Sequence, residues 1–534
     1  MAAARVLTGL AVVLVCVALI LPNAFSRLTV PAGWLRLPVE AIVGVALLLV
    51  LPVRARRVVA ALLGVVLGAL TVVKLIDMGF LKSLGRPFDP VLDWVLFDDA
   101  YSFLIDSVGR AGAIGAAVGA VLLAVVVLVL LTLAVLRSTT LVVRHRRAAF
   151  SAVAVLAVVW LSLATFGVTL DRRIPVAARS TSTYAYDRVL QVRAAMQDRD
   201  TFAAQAAADA FRDTPGDKLL TALRGKDVIV AFVESYGRSA VEAPAFAEQI
   251  GGVLNTGTRR LAEAGFTARS GYLTSPTAGG GSWLAHSTFL SGLWINNQQR
   301  YRTLTASDRM TLPSAFARAD WRTIGVQPGN TRAWPEGEFY GYETVYDSRN
   351  LGYRGPEFSW SNMPDQYTLS AFDRLEYRKP QRGPLMVDIT LTSSHTPWAP
   401  IPRTVDWEDI GDGSIYAGMA KEGKRPKAVW KDPVQLRTEY RRSIGYSINS
   451  LVSYVENFGN DNLVMIMLGD HEPSPIVVGE NAGRDVPISI VAHDPAVLER
   501  ISSWGWNEGL KPAPQAPVWP MNQFRDRFLT AYSN

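Results

Sequence analysis

Five apolar runs crowd into the first 170 residues, at about 6–21, 37–53, 58–75, 111–136 and 148–170. So much continuous hydrocarbon suits a bilayer better than an aqueous core. Most of the runs reach or approach the roughly 20 residues that a membrane-crossing helix needs. The second run is short and begins with Pro38 and Glu40. No small-residue cleavage site follows the first run, and four further runs succeed it, so it reads as a span rather than a removable leader.

Basic residues orient these spans. Arg5, the cluster Arg54, Arg56 and Arg57, and the turn holding Arg137, Arg144, Arg146 and Arg147 all fall on one side. The segments 22–36 and 82–110 fall on the other, with fewer cations for their length, and the positive-inside rule turns the arginine side inward. An odd number of crossings then carries residues 171–534 outside. Arg172 and Arg173 run against the rule, but long domains translocate largely regardless of charge.

Those eight arginines lie in segments free of acids and exceed the whole net charge of +7. The basic excess is therefore a topology signal, and nucleic acid is excluded as the partner. The single cysteine, Cys16, allows neither a disulfide framework nor a multi-thiolate metal site.

Two details of this half carry expectations. Lys74 and Asp77, three apart near the outer end of the third run, suit an interfacial ion pair. Within 82–110, Val91, Trp94, Phe97, Tyr101 and Leu104 recur at helical intervals with acids between them. That helix either lies flat at the outer interface or packs on the spans.

From residue 171 the composition becomes that of a soluble protein. Residues 171–225 read as a helical linker. Beyond them, apolar strand patterns at 227–233, 322–326, 385–391, 462–468 and 486–492 alternate with helical ones at 244–264, 282–290, 307–319, 365–377, 434–458 and 521–532. Such alternation implies a mostly parallel central sheet covered by helices on both faces. Residues 406–430 read as a long surface loop. The expected organisation is a five-helix transmembrane domain at 1–170, the linker at 171–225, and an extracytoplasmic α/β domain at 226–534.

The chemistry-bearing residues sit where such a sheet places its ligands. The run DVIVAFV ends on Glu234, a carboxylate at a strand's C-terminal edge. Gly279, Gly280 and Gly281 precede Ser282 at the mouth of a helix, where backbone N–H groups attract an anion and a hydroxyl is placed to attack phosphorus. A late strand, NLVMIML, closes on Gly469, Asp470 and His471. Two carboxylates, one imidazole and the Ser282 hydroxyl would form an oxygen-rich site for one divalent cation, Mn²⁺ ahead of Mg²⁺ or Zn²⁺.

These motifs resemble the alkaline phosphatase/sulfatase superfamily, and within it the lipoteichoic acid synthase-like membrane phosphoglycerol transferases. Those enzymes carry a Glu after the first strand, a Thr after a glycine-rich turn, and a Gly-Asp-His. Here the matching positions are Glu234, Ser282, and Asp470 with His471. The resemblance implies a sulfatase-like fold, Ser282 as nucleophile, and metal ligation by Glu234, Ser282, Asp470 and His471. It also implies that His395 contacts the phosphate or leaving group, where it could donate a proton. Asn330 and Trp334 correspond to the headgroup-binding segment; the family has Arg where this chain has Glu336, and Arg332 could supply the missing cation from the same loop. His286 reads as a capping or packing residue, and His493 as structural or a second-metal ligand. Ser282 is followed by Trp283, Leu284, Ala285 and His286, which lacks the Pro and Arg that a formylglycine sulfatase requires.

The implied activity is transfer of a phosphoglycerol-type group from a phospholipid donor, through a covalent Ser282 intermediate, to an envelope glycan or glycolipid. The enzyme would be a multi-pass protein of the cell membrane with its catalytic domain outside. A phosphoethanolamine transferase or phosphodiesterase on the same site is one alternative, and Glu336 suits its ammonium headgroup. A non-catalytic envelope scaffold is another.

Overall fold

The computed structural model describes residues 2–171, 174–480 and 482–533; Arg172 and Arg173 lie outside them. The chain divides into two compact units, Met1–Lys82 with Arg86–Asp198, and Ser83–Gly85 with Arg199–Asn534.

The first unit is helical: α1 (Ala2–Ile20), α2 (Val39–Val50), α3 (Val53–Leu84), α4 (Leu96–Arg144, broken at Gly109), α5 (Arg146–Thr165) and α6 (Ser180–Ala207), the last running across the boundary between the units. Among the described residues, α1, α3, the Gly109–Arg144 part of α4, and α5 are long and apolar enough to cross a membrane. The second apolar run yields less helix than expected. Pro38 and Pro52 bracket α2, and the residue before a proline is pushed out of helical geometry, so only 12 residues form helix. At 1.5 Å per residue that is about 18 Å, against a hydrocarbon core of about 30 Å.

Even so, α2 keeps its place in an alternating bundle. Leu37 and Pro38, at its start, pair with Ala177 and Ala178 just before α6. Thr181 Oγ1 donates to the Leu19 carbonyl (2.6 Å), and Lys74 Nζ donates to Thr181 Oγ1 (3.2 Å). The end of α1, the start of α2, the later part of α3 and the start of α6 therefore share one end of the bundle. At the other end Arg137 Nη2 donates to the Ala4 carbonyl (2.9 Å). All the arginines that orient the spans lie towards that second end.

Lys74 and Asp77 do not pair. Lys74 turns to Thr181 and the Ala18 carbonyl of α1, whereas Asp77 accepts from Phe88 N (2.9 Å) and the Tyr184 hydroxyl (2.7 Å), with Arg188 Nη2 at 3.5 Å. Each side chain finds a closer neighbour on another segment. In 82–110, Phe88 is buried and packs on Phe80 of α3 (5.2 Å), and Phe97 stands 6.1 Å from the same ring, whereas Trp94 is exposed. Val121, Leu122 and Leu123 of α4 and Val155, Val158 and Leu161 of α5 are exposed, an apolar surface suited to lipid.

The second unit is an α/β domain. Its nine-stranded sheet comprises β1 (Asp227–Val233), β2 (Thr267–Thr274), β3 (Arg322–Gln327), β4 (Thr344–Asp347), β5 (Leu385–Leu391), β6 (Leu463–Gly469), β7 (Asp485–Ala492), β8 (Asn507–Glu508) and β9 (Val518–Pro520). The order is β8-β2-β7-β6-β1-β5-β3-β4, with β9 pairing β2. From β6 to β4 every pairing is parallel, whereas β7 runs antiparallel to both β6 and β2. β1, β5 and β6 are buried along their whole length, as strands covered on both faces must be. Helices α7 (Ala247–Glu263), α8 (Ser282–Ser291) and α9 (Pro433–Phe458) supply much of that cover. The supposed surface loop 406–430 is partly structured: it contains the short helices Ala417–Glu422 and Pro426–Val429, and it buries Ile410, Tyr416 and Val429 in the core.

Candidate active site

Register brings the site together. Gly469 of β6 and Leu391 of β5 both lie level with Val233 of β1. Glu234, Asp470 and Thr392 therefore step off one edge of the sheet side by side. Ser235 N donates to Asp470 Oδ1 (2.8 Å), and Ser394 Oγ donates to the Glu234 carbonyl (2.6 Å), fastening the three strand ends to one another. Ser235 takes a left-handed φ of 57° while buried, a strained conformation of the kind that collects at functional sites. Gly469 is required by close approach: a Cβ there would lie 1.8 Å from the Tyr236 carbonyl oxygen.

The glycine-rich turn delivers the hydroxyl. Gly279, Gly280 and Gly281 have φ of 74°, 148° and 81°, a run that only glycine adopts without strain. Gly279 N donates to the Glu472 carbonyl (2.8 Å), and Ala278 forms a bridge with Glu472, so the turn is tied to the residue after His471. Ser282 then opens α8 with Oγ 2.9 Å from Glu234 Oε2 and 3.2 Å from His471 Nε2.

Glu234, Asp470 and His471 are buried, and one donor atom from each lies within 4.8 Å of the others. His471 Nδ1 is 2.8 Å from the Glu472 carbonyl, which assigns it the ring proton and leaves Nε2 facing Glu234 Oε1 (3.3 Å) and Asp470 Oδ2 (3.7 Å). Asp470 Oδ1 accepts from Ser235 N and His471 N, but its buried Oδ2 has no hydrogen-bond partner among the described residues. A buried carboxylate oxygen left without a donor is an unpaid desolvation cost unless a cation takes it. The donor set fits one divalent ion with oxygen and nitrogen ligands.

Without an ion the cluster holds protons. Burial and the Glu234 charge push Asp470 up to about 8. Burial works to lower His471, yet the Asp470 and Glu234 carboxylates push it up to about 10. Glu234 is held well below the usual carboxylate range: burial acts to raise it, and His471 prevails.

His395 lies one residue beyond Ser394. Its ring stacks on Trp360 (centroids 3.7 Å apart), and its Nδ1 is 2.5 Å from the Thr396 carbonyl, leaving Nε2 with a lone pair. Burial lowers its pKa, so it is neutral near pH 7. The 330–334 segment is less closely tied to the four convergent residues. A Cβ on Gly329 would lie 3.5 Å from Trp360, which places the segment's start beside the His395 stack. Asn330 uses its carbonyl to accept from Ser348, and Arg332 is exposed. Trp334 packs on Tyr340, with its Nε1 3.5 Å from the Tyr301 hydroxyl. Glu336 lines a cavity of about 630 Å³ together with Arg212, Arg309 and Arg318.

His493 belongs elsewhere. It follows the C-terminus of the antiparallel β7, at the opposite edge of the sheet, where it faces Asp461 (3.5 Å) and Phe266. His286 packs as expected, its ring 3.9 Å from that of Phe232, but its Nε2 also reaches within 3.9 Å of Asp470 Oδ2. Ser235, Ser394 and Glu472 escaped the sequence reading, since small residues and a third acid after Asp-His carry no pattern of their own. Glu472 accepts from Ser239 N (2.8 Å) and Ser239 Oγ (2.9 Å), and burial pushes it up to about 7.

No protein-family model and no curated protein matches the chain. Among solved structures it is similar to the lipoteichoic acid synthase LtaP from Listeria monocytogenes, at 15% identity over 62% of this chain and 77% of that one, with a TM-score of 0.37. It is similar to the Streptococcus pyogenes phosphoglycerol transferase GacH in complex with sn-glycerol-1-phosphate, at 13% identity over 63% and 91%, TM-score 0.35. It is also similar to the C-terminal periplasmic domain of EptC from Escherichia coli in a zinc complex, at 12% identity over 58% and 83%, TM-score 0.38.

Proposed function

We propose that this protein is a membrane phosphotransferase that moves a phosphoglycerol-type group from a phospholipid to an envelope glycan or glycolipid through a covalent Ser282 intermediate. The observation that carries this reading is the placement of Ser282 Oγ, at a helix mouth, within hydrogen-bond distance of both Glu234 and His471. The motif resemblance supplies the substrate class.

Glu234, Asp470, His471 and Ser282 would hold one divalent cation, with manganese, magnesium and zinc as candidates. When bound, the ion would lower the pKa of the serine hydroxyl and polarise a phosphoryl oxygen. In the first half-reaction Ser282 Oγ bonds to phosphorus, the bond from phosphorus to the diacylglycerol oxygen breaks, and the serine proton ends on that oxygen. His395 Nε2, with its lone pair free, is suited to relay the proton. In the second half-reaction the acceptor hydroxyl loses its proton towards the same nitrogen. Its oxygen bonds to phosphorus, the serine–phosphorus bond breaks, and Ser282 recovers a proton. Asn330, Arg332 and Trp334 would contact the headgroup. The arginine-rich end of the helical bundle faces the cytoplasm by the positive-inside rule, leaving the α/β unit outside, where envelope acceptors lie.

A second reading comes from the sequence alone, where Glu336 in place of the family's arginine suits an ammonium headgroup and a phosphoethanolamine ester as product, although in the fold Glu336 stands among Arg212, Arg309 and Arg318. Mass spectrometry of Ser282 after incubation with mixed membrane lipids separates the two. A glycerophosphoryl adduct is expected; an ethanolamine phosphate adduct supports the second reading, and an unmodified serine under every condition overturns both.

A further inference from the structure

Three atoms around Asp470 define an unfinished contact. Oδ1 of this carboxylate is fully engaged by Ser235 N at 2.8 Å and His471 N at 2.7 Å. Oδ2 and the Nε2 of His286 are both buried and both lack a hydrogen-bond partner among the described residues, and they stand 3.9 Å apart. His286 lies one helical turn beyond Ser282 on α8, so both side chains leave the same face of the helix towards the same edge of the sheet. Its ring stacks on Phe232 of β1 at 3.9 Å and 19°, which fixes the plane of the imidazole.

His286 stands outside the set that could share one ion. The donor atoms of Glu234, Asp470 and His471 converge within 4.8 Å in a set that does not include His286, and of the two carboxylates His286 Nε2 comes within 4 Å of Asp470 alone. It is too far for a hydrogen bond in this geometry, yet a shift of about 1 Å would bring this buried nitrogen and the orphaned carboxylate oxygen to hydrogen-bond distance. Carboxylates that ligate metals are usually oriented by such an outer donor, and removing the donor costs about 10–100-fold in metal affinity.

Resting on the proposed metal site, we infer that His286 is a positioning residue: its Nε2–H donates to Asp470 Oδ2 and aims that carboxylate at the ion. The stack on Phe232 holds the imidazole in one plane.

The test compares the purified full-length protein with the variants H286F, H286Q and H286M. The readouts are the dissociation constants for Mn²⁺ and Zn²⁺, and the melting temperature without metal. H286F keeps the aromatic stack and removes the donor; H286Q restores an N–H near the position of Nε2; H286M fills the space with neither. The expected result is metal-free melting of H286F close to wild type, a metal dissociation constant raised about 10–100-fold in H286F and H286M, and recovery to within a few-fold in H286Q. Should H286F not fold, the H286Q and H286M pair carries the same comparison. Equal affinity in wild type, H286F and H286M overturns the role of His286 while leaving the metal site standing. No metal binding by wild type at the Glu234–Asp470–His471 cluster overturns the metal reading itself.

Discussion

Ser282 Oγ and Glu234 Oε2 lie 2.9 Å apart, although the two residues are 48 positions apart in sequence and arrive from different elements, a helix start and a strand end. The contact orients the hydroxyl before any substrate is present. On the proposed mechanism, serine to alanine removes the atom that would carry the phosphoryl group. S282A is therefore expected to lower release of diacylglycerol from labelled phosphatidylglycerol by at least about 10³-fold and to abolish the covalent adduct. S282T keeps a hydroxyl on the same carbon and should retain activity within about tenfold. Full turnover by S282A would remove this serine from the chemistry.

Metal binding should release protons. Asp470 sits at about 8 and His471 at about 10 without an ion, so near pH 6.5 each carries a proton that it must surrender to become a ligand. About two protons per ion are expected at that pH, falling towards one near pH 9. The apparent affinity should accordingly rise steeply, by about 100-fold per pH unit below pH 8, and less above it. Calorimetry of Mn²⁺ binding in buffers of differing ionisation enthalpy measures the count. An affinity indifferent to pH between 6 and 8 would contradict the assigned ligands.

The parts of this architecture that bury unbroken hydrocarbon were legible in the sequence. β1, β5 and β6 are continuous apolar runs because both faces of a parallel strand are covered, and their last residues announced the site. β2 was not foreseen. Its sequence, TARSGYLT, carries Arg269 and Ser270, and the buried Ser270 hydroxyl is satisfied by Ser489 on β7 (2.6 Å) and the Gly509 carbonyl (2.5 Å). The four-residue β4 at the sheet's edge left no period to detect. Glu234, Ser282, Asp470 and His471 could be named from motifs because their spacing follows strand and turn ends. The strained φ of Ser235 and the orphaned Nε2 of His286 depend on tertiary approach, which no one-dimensional pattern encodes.

The bundle's alternation has a topological consequence. If the 12-residue α2 completes a crossing, the arginine-rich end and the α/β unit lie on opposite sides of the membrane. In a Cys16→Ser background, a membrane-impermeant maleimide should label Lys427→Cys on intact cells and label Ala3→Cys only after permeabilisation. Equal labelling of both on intact cells would mean that α2 does not cross.

Asp388 on β5 provides a test of the core independent of catalysis. It is 1% exposed; the Tyr342 hydroxyl donates to its Oδ2, and its Oδ1 has no partner among the described residues. Burial pushes the carboxyl up to about 7, with the Tyr342 hydrogen bond opposing. The folded pKa is thus above the ordinary value of 3.8, so between pH 3.8 and 7 the folded protein keeps a proton that the unfolded chain has lost. Stability from this group is present at low pH and drains away as the pH rises through that window, by at most about 4 kcal/mol, and the loss is complete above the folded pKa. Asp388→Asn mimics the protonated acid, preserves an acceptor for Tyr342 and cannot ionise. The gap in melting temperature between variant and wild type should therefore widen in favour of the variant from pH 4 to pH 8. Parallel profiles across that range would show that Asp388 does not titrate in the folded protein as its burial demands.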